Sequence, residues 1–265
     1  MSVNQTMQMT DIGANLTHDS FDADRDEVVR RARELDIDMV ITGADPVGSE
    51  RAIELAEQYR CRCTAGIHPH HADTADEHAL TRIAEMSNHP LVCAVGETGL
   101  DYFRDFSPRD AQRMVFQAHL EIAAKNGLPL FLHERDASED FINILEQHRS
   151  HLNYIVVHCF TGSAEALAAY IELDCHIGIT GWLADERRGQ HLIPLIETIP
   201  LDRLMIETDA PYLMPRNIKP KPKDRRNEPA YLPWVCQAVA NATGESTDEV
   251  ASRTHENAQR FFGLS

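Results

Sequence analysis

Along the chain, short runs rich in Val, Ile, Thr and Cys alternate with longer stretches in which apolar residues recur at helical spacing. Runs of the first kind suit strands buried on both faces, and their alternation with helical patterns predicts repeated βα units around a parallel sheet. Eight such runs end near Asn15, Gly43, His68, Glu97, His133, His158, Gly181 and Asp209, spaced by roughly 23 to 36 residues. That spacing holds one strand, one helix and two loops, and eight units in about 250 residues is the size of a TIM-type (β/α)8 barrel. The expected fold class is α/β, with an N-terminal extension over residues 1–9 and a single domain over residues 10–265.

The helical stretches have readable edges. Val28, Val29, Ala32 and Leu35 form an apolar stripe after an acidic start at Asp22 to Asp26, where carboxylates complement the helix dipole. Pro108 is expected to open a helix that stops at Asn126-Gly127. Ser246 and Glu249 have capping-box spacing ahead of Val250, Ala258 and Phe261.

Composition narrows the class. With 43% hydrophobic and 25% charged residues the chain reads as an ordinary globular protein. No run approaches about 18 uninterrupted apolar residues, so no membrane association is expected. The polar start, Met1 to Thr10, lacks the features of a secretory leader, which gives a cytoplasmic expectation. The six cysteines show no Cys-x-x-Cys pairing and read as reduced thiols. A balance of 25 basic against 42 acidic residues, a net charge of −17, argues against a protein that coats nucleic acid by bulk electrostatics. A nuclease remains compatible, because it needs positive charge only at its site and a bound metal supplies some of it.

In a (β/α)8 barrel the C-terminal ends of the strands line the functional face. The ionisable residues expected there are His68, Glu97, His133, His158 and Asp209. One histidine at a strand end is usually structural, but five such groups on one ring are costly to desolvate unless they share a cation. Strand alternation places Cys93, Val95 and Glu97 on one face and Phe131 and His133 on another, apolar members filling the barrel and polar ones topping it. By the same rule Cys159 should face the helices when His158 faces the mouth, which disfavours a cysteine–histidine nucleophile.

Several runs then match one family in order: Thr10-Asp11-Ile12-Gly13-Ala14-Asn15-Leu16-Thr17, Ala65-Gly66-Ile67-His68-Pro69-His70, Gly96-Glu97-Thr98-Gly99-Leu100-Asp101, Leu132-His133, Val157-His158-Cys159-Phe160-Thr161-Gly162, Ile206-Glu207-Thr208-Asp209-Ala210-Pro211-Tyr212 and Asn227-Glu228-Pro229. Over roughly residues 10 to 262 the sequence resembles the TatD family of metal-dependent nucleases. The resemblance implies a barrel of the metal-dependent hydrolase type. It implies metal ligation by Glu97, His133 and His158, with Asp209 as a further ligand or general base and Glu97 and Asp209 as the catalytic pair. It places His68 toward the substrate or the metal shell. Many members carry a His-x-His pair at the end of the first strand, where Gly13 and Asn15 stand here, so a second metal is expected to bind weakly.

Such a set suffices for phosphodiester hydrolysis, since a divalent ion acidifies bound water and polarises a phosphoryl oxygen. Imidazole ligands favour Zn²⁺ or Mn²⁺, whereas the resemblance implies Mg²⁺. The implied activity is 3′ to 5′ exonuclease cleavage of single-stranded DNA, with RNA as a further substrate, by a monomer in a DNA-repair setting. The alternatives are a related hydrolase acting on an ester such as aminoacylated RNA or on a small molecule, and a weakly catalytic metal-binding protein.

The remaining features admit two readings each. Glu207 could orient Asp209 or be a buried structural carboxylate. Arg135 and Asp136 could contact substrate or form a surface ion pair. The basic, proline-broken run from Lys219 to Arg226 is either a solvated loop or, through Lys221, Arg225 and Arg226, a phosphate-binding lip. Trp182 and Tyr212, beyond the last strand ends, could stack on a base or pack beneath a loop.

Overall fold

The computed structural model describes residues 7–264. Its strands are β1 (Met9–Ala14), β2 (Ile37–Ile41), β3 (Arg62–Ala65), β4 (Val92–Asp101), β5 (Leu130–Arg135), β6 (Ile155–Val157), β7 (His176–Ile179) and β8 (Leu204–Ile206). The helices are α1 (Arg25–Glu34), α2 (Pro46–Tyr59), α3 (Glu77–Met86), α4 (Arg109–Asn126), α5 (Ser138–His148), α6 (Ala164–Glu172), α7 (Ile193–Ile196), α8 (Leu232–Thr243) and α9 (Thr247–Phe262). The eight strands pair in parallel in chain order. A bridge between Ala14 and Ala210, with Asp209 N–H donating to Gly13 O at 2.9 Å and Asn15 N–H to Ala210 O at 2.8 Å, brings the last strand back to the first. The expected (β/α)8 barrel is therefore present. Most of the residues 1–9 expected as an extension lie outside the described residues, and β1 already begins at Met9. Among the described residues, no helix is long and apolar enough to cross a membrane.

Local signals carry into these elements. Pro108 is the N-cap of α4, and Gly127 ends that helix at φ 69°, a left-handed conformation that glycine adopts without a Cβ penalty. Ser246 caps α9, its side chain accepting from Glu249 N–H. Leu35 departs from the expected α1 stripe: it forms the C-cap and is 40% exposed.

The alternation expected along β4 fails, for a local reason. The β3–β4 ladder shifts register between Cys63 and Thr64, opposite Val92 and Ala94, and the β4–β5 ladder shifts between Gly96 and Thr98. Each shift inserts a residue and resets the faces. Val95 therefore packs with helix residues such as Leu120, whereas Ala94 joins Cys93 and Phe131 in a separate cluster. Glu97 sits at the second irregularity, which aims its side chain into the mouth of the barrel. The approach of β5 is close here, since a Cβ at Gly99 (φ +144°) would overlap the His133 carbonyl.

Candidate metal centre

The strand ends open into a pocket of about 910 Å³ whose lining includes Asn15, His68, His70, Glu97, Asp101, His133, His158 and Asp209. Another cavity, of about 560 Å³, lies at the opposite end of the barrel and is lined by residues such as Arg62, Val92, Pro129 and Phe262. The five ionisable residues expected at the strand ends thus share one pocket, although His68 and Asp209 lie three residues beyond the formal ends of β3 and β8.

Glu97 is the hub. Its Oε1 lies 2.7 Å from His158 Nε2, 3.1 Å from His133 Nδ1 and 3.2 Å from His68 Nε2. Candidate ligand atoms of His68, Glu97 and His133 lie within 4.8 Å of one another.

The second ring nitrogen of each histidine sets its proton. His158 Nδ1 is 3.3 Å from the wholly buried Glu207 carboxylate, and His133 Nε2 is 3.3 Å from Asp101 Oδ2. Each carboxylate holds one ring N–H, so that when a cation displaces the ring proton facing Glu97 the imidazole is left in the tautomer that a metal ligand requires. His68 is arranged the other way. Its Nδ1 accepts from His70 N–H at 3.1 Å, so the ring proton resides on Nε2 and faces Glu97 as a donor. Although proximity groups His68 with Glu97 and His133, this protonation suits it to donate to an anionic oxygen rather than to ligate.

The electrostatics agree. Burial opposes charge throughout, yet the positive charge of His158 and the hydrogen bonds from His133 and His158 hold the Glu97 carboxyl well below its ordinary range. His158 is pushed well above its ordinary value, against burial, by Glu97 and Glu207. His133 is raised against the same opposition by its hydrogen bonds to Asp101 and Glu97. Burial lowers His68 to about 4, leaving it neutral. Protons on His158 and His133 thus do, in the bare protein, what a shared cation would do. Asp209 is raised to about 7, first by burial, with the Glu97 and Glu207 charges adding to it. Asn15 Nδ2 donates to Asp209 Oδ1 at 2.9 Å. Oxygen and nitrogen donors gathered around the Glu97 carboxylate fit a divalent metal.

Glu207 explains the glycine at residue 13. A Cβ at Gly13 would stand 2.5 Å from Glu207 Oε2, and one at Gly178 would stand 2.7 Å from Oε1. The carboxylate occupies a cradle left by two missing side chains and also accepts Cys159 N–H at 2.5 Å.

Asp101 and His70 are members of the cluster that sequence reasoning left out, though both lie within the motifs given above. His70 Nε2 is 2.7 Å from Asp101 Oδ2, and Asp101 Oδ1 accepts from Phe103 N–H at 3.1 Å and Arg104 N–H at 2.8 Å. Cys159 corrects an expectation. The strand has already ended at Val157, the residue adopts φ 47°, and its side chain lines the pocket instead of facing the helices. Burial pushes its thiol well above the ordinary range, so it remains a protonated, non-nucleophilic group.

The basic run after β8 stands apart from this pocket. Arg226 donates to both carboxylate oxygens of Asp24, at 2.7 and 2.6 Å, while Lys221 and Arg225 are exposed. The pocket's own cations are Arg104, Arg135 and Arg188.

Residues 10–263 match the family model described as TatD related DNase. Curated relatives named 3′-5′ ssDNA/RNA exonuclease TatD include one from Erwinia amylovora, 48% identical over 97% of this chain and 100% of its own length. Another, from Escherichia fergusonii, is 46% identical with the same coverage of both chains. Among solved structures, a TatD-family hydrolase from Entamoeba histolytica superposes with a TM-score of 0.88 at 26% identity, covering 98% of this chain and 99% of that one. A TatD homologue from Escherichia coli gives 0.89 at 24% identity, covering 98% and 100%, and supports the fold.

Proposed function

Because the chain belongs to the TatD-related DNase family, we propose that it is a metal-dependent hydrolase of phosphodiester bonds that shortens single-stranded DNA and RNA from the 3′ end. The observation that carries this reading is the paired arrangement of Glu207 with His158 and Asp101 with His133, which fixes one nitrogen of each ring and leaves the other facing Glu97, ready to exchange its proton for a metal.

In this reading Glu97, His133, His158 and Asp209 hold the metal. When bound, the ion would acidify an attacking water and draw charge from a phosphoryl oxygen. The protein's own groups do the rest. Asp209 can accept a proton from that water through the carboxylate oxygen that the Asn15 amide leaves free. His68, neutral with its proton on Nε2, donates to a non-bridging phosphate oxygen. Its donor strength is undiminished by pH changes above about 5, because it stays uncharged there. Lys221 and Arg225 meet the more distant part of the strand.

Mg²⁺ is the metal we infer from the family resemblance, with Mn²⁺ or Zn²⁺ as the ions that the two imidazoles would accept more readily. We further infer a cytoplasmic monomer with a role in DNA repair. The test is incubation of metal-loaded protein with 5′-labelled single-stranded DNA and RNA, with Asp209→Asn as control. A ladder shortening one nucleotide at a time from the 3′ end, absent in the control, is expected. Intact strands, with turnover of an aminoacyl ester instead, would overturn the proposal.

A further inference from the structure

The side of the pocket formed by the β4, β5 and β7 ends carries flat groups that the hydrolytic centre does not use. Arg135, two residues beyond His133, holds its guanidinium 4.7 Å from the Phe103 ring centre and 4.8 Å from the Trp182 ring centre. Arg104 lies over Phe103 at 5.6 Å and Arg188 over Trp182 at 4.2 Å. Phe103, Phe106 and Tyr212 line the same pocket yet are 56%, 65% and 52% exposed. Large rings left this wet around a polar site call for a partner.

The cations sharpen the point. Arg188 is neutralised by Asp185 at 2.8 Å, but among the described residues neither Arg104 nor Arg135 has a carboxylate within ion-pairing distance. In a chain with 42 acidic against 25 basic residues, two unneutralised guanidinium groups at one pocket are a local reversal of the overall charge. The Arg135 guanidinium rests against two ring faces, and such an interaction is readily exchanged for another flat group.

Resting on the exonuclease reading above, we propose that the wall of Phe103, Arg135 and Trp182 is a nucleobase subsite for the nucleotides flanking the scissile bond. A base enters by stacking on the Trp182 or Phe103 ring. The displaced Arg135, together with Arg104, then pairs with the adjoining phosphate. Stacking on rings needs no particular hydrogen-bond pattern, so the subsite takes any base sequence. It requires a free base face, which a duplex keeps within its own stack. The wall therefore selects single strands. Its loop is tied to the centre itself, because Asp101 both positions His133 and accepts the backbone N–H groups of Phe103 and Arg104.

The chain has two tryptophans, Trp182 and Trp234, so Trp234→Phe leaves Trp182 as the only indole reporter. In that protein, loaded with Mg²⁺ and followed by stopped flow before turnover, a single strand should quench the emission. A strand abasic at its last three positions should quench it far less, and the blunt duplex hardly at all. In steady state the wild type should favour the intact over the abasic strand by roughly tenfold or more in kcat/KM. Trp182→Leu and Phe103→Leu should each shrink that ratio toward one while retaining the wild-type circular dichroism and melting behaviour. Equal quenching by intact and abasic strands, or an unchanged ratio in both variants, would overturn the subsite even if the strand is still trimmed. A protein that binds and quenches as described but trims no strand would instead overturn the exonuclease reading and leave the subsite standing.

Discussion

Replacing Glu207 by Gln would perturb the centre without replacing a proposed ligand. The buried carboxylate accepts from two donors, Cys159 N–H at 2.5 Å on Oε1 and His158 Nδ1–H at 3.3 Å on Oε2. A glutamine has one acceptor oxygen, so either the backbone donor or the imidazole must face an NH₂ group. An unsatisfied buried donor costs about 1–3 kcal/mol, which should appear as reduced stability in urea or thermal unfolding. If the glutamine turns its amide toward His158, the ring must give up the tautomer that frees Nε2. Changes to such supporting groups weaken metal affinity about 10- to 100-fold, or about 1.4–2.7 kcal/mol. Calorimetric titration of Mn²⁺ or Mg²⁺ into both proteins measures this directly. A linked experiment tests the packing. Gly13→Ala alone should cost about 1–3 kcal/mol by overpacking, because its Cβ would meet Glu207 Oε2 at 2.5 Å. In a Glu207→Ala background that penalty should shrink, since the nearer obstruction is gone and only the Phe131 ring, at 3.0 Å, remains. Unaltered stability and metal affinity in Glu207→Gln, or additive costs in the double variant, would refute the reasoning.

Three further outcomes are expected. His133→Ala and His158→Ala should each abolish strand cleavage with the far-ultraviolet dichroism retained, and elemental analysis of wild type should give one tightly held ion per chain. Near-normal turnover in both variants with excess metal, or two ions held equally tightly, would contradict the ligand assignment. Metal affinity should weaken as pH falls from about 8 to about 6, because Asp209 binds a proton below about 7 in the bare protein and must release it to take the ion. As its pKa is raised on folding, Asp209 stabilises the metal-free protein fully below about 4 and loses that contribution as pH rises through about 7. A metal dissociation constant that is flat across this range would exclude the coupling. Finally, Lys221→Glu with Arg225→Glu should flatten the slope of log affinity against log salt by about 0.7 for each phosphate that the variant no longer engages. An unchanged slope in DNA titrations would mark the run as a solvated loop.

The barrel was legible because its signals are local and repeated: apolar strand runs at steady spacing, Gly127 ending α4, and Ser246 capping α9. The ionisable strand ends were legible for the same reason, since the fold gathers them wherever each strand stops. Side-chain facing was not, because it depends on register. The irregularity beside Glu97 resets the faces of β4, and the early end of β6 turns Cys159 into the pocket. Long-range partners were illegible as well. That Arg226 is taken by Asp24, while Arg135 rests between Phe103 and Trp182, follows from packing across separate βα loops, which no spacing along the chain encodes.

The return of the last strand to the first also sets when the protein can act. Asp209 is held through Gly13 O and Asn15, residues made long before it, and Asp11 accepts Thr208 N–H at 2.8 Å. A growing chain reaches Asp209 only after roughly 190 further residues, or about 10–40 s at about 5–20 residues per second. Until then one edge of β1 waits without its β8 neighbour, and the cluster around Glu97 lacks its Asp209 carboxylate. A polypeptide whose synthesis has not yet passed Asp209 is thus a hydrolase missing its final part.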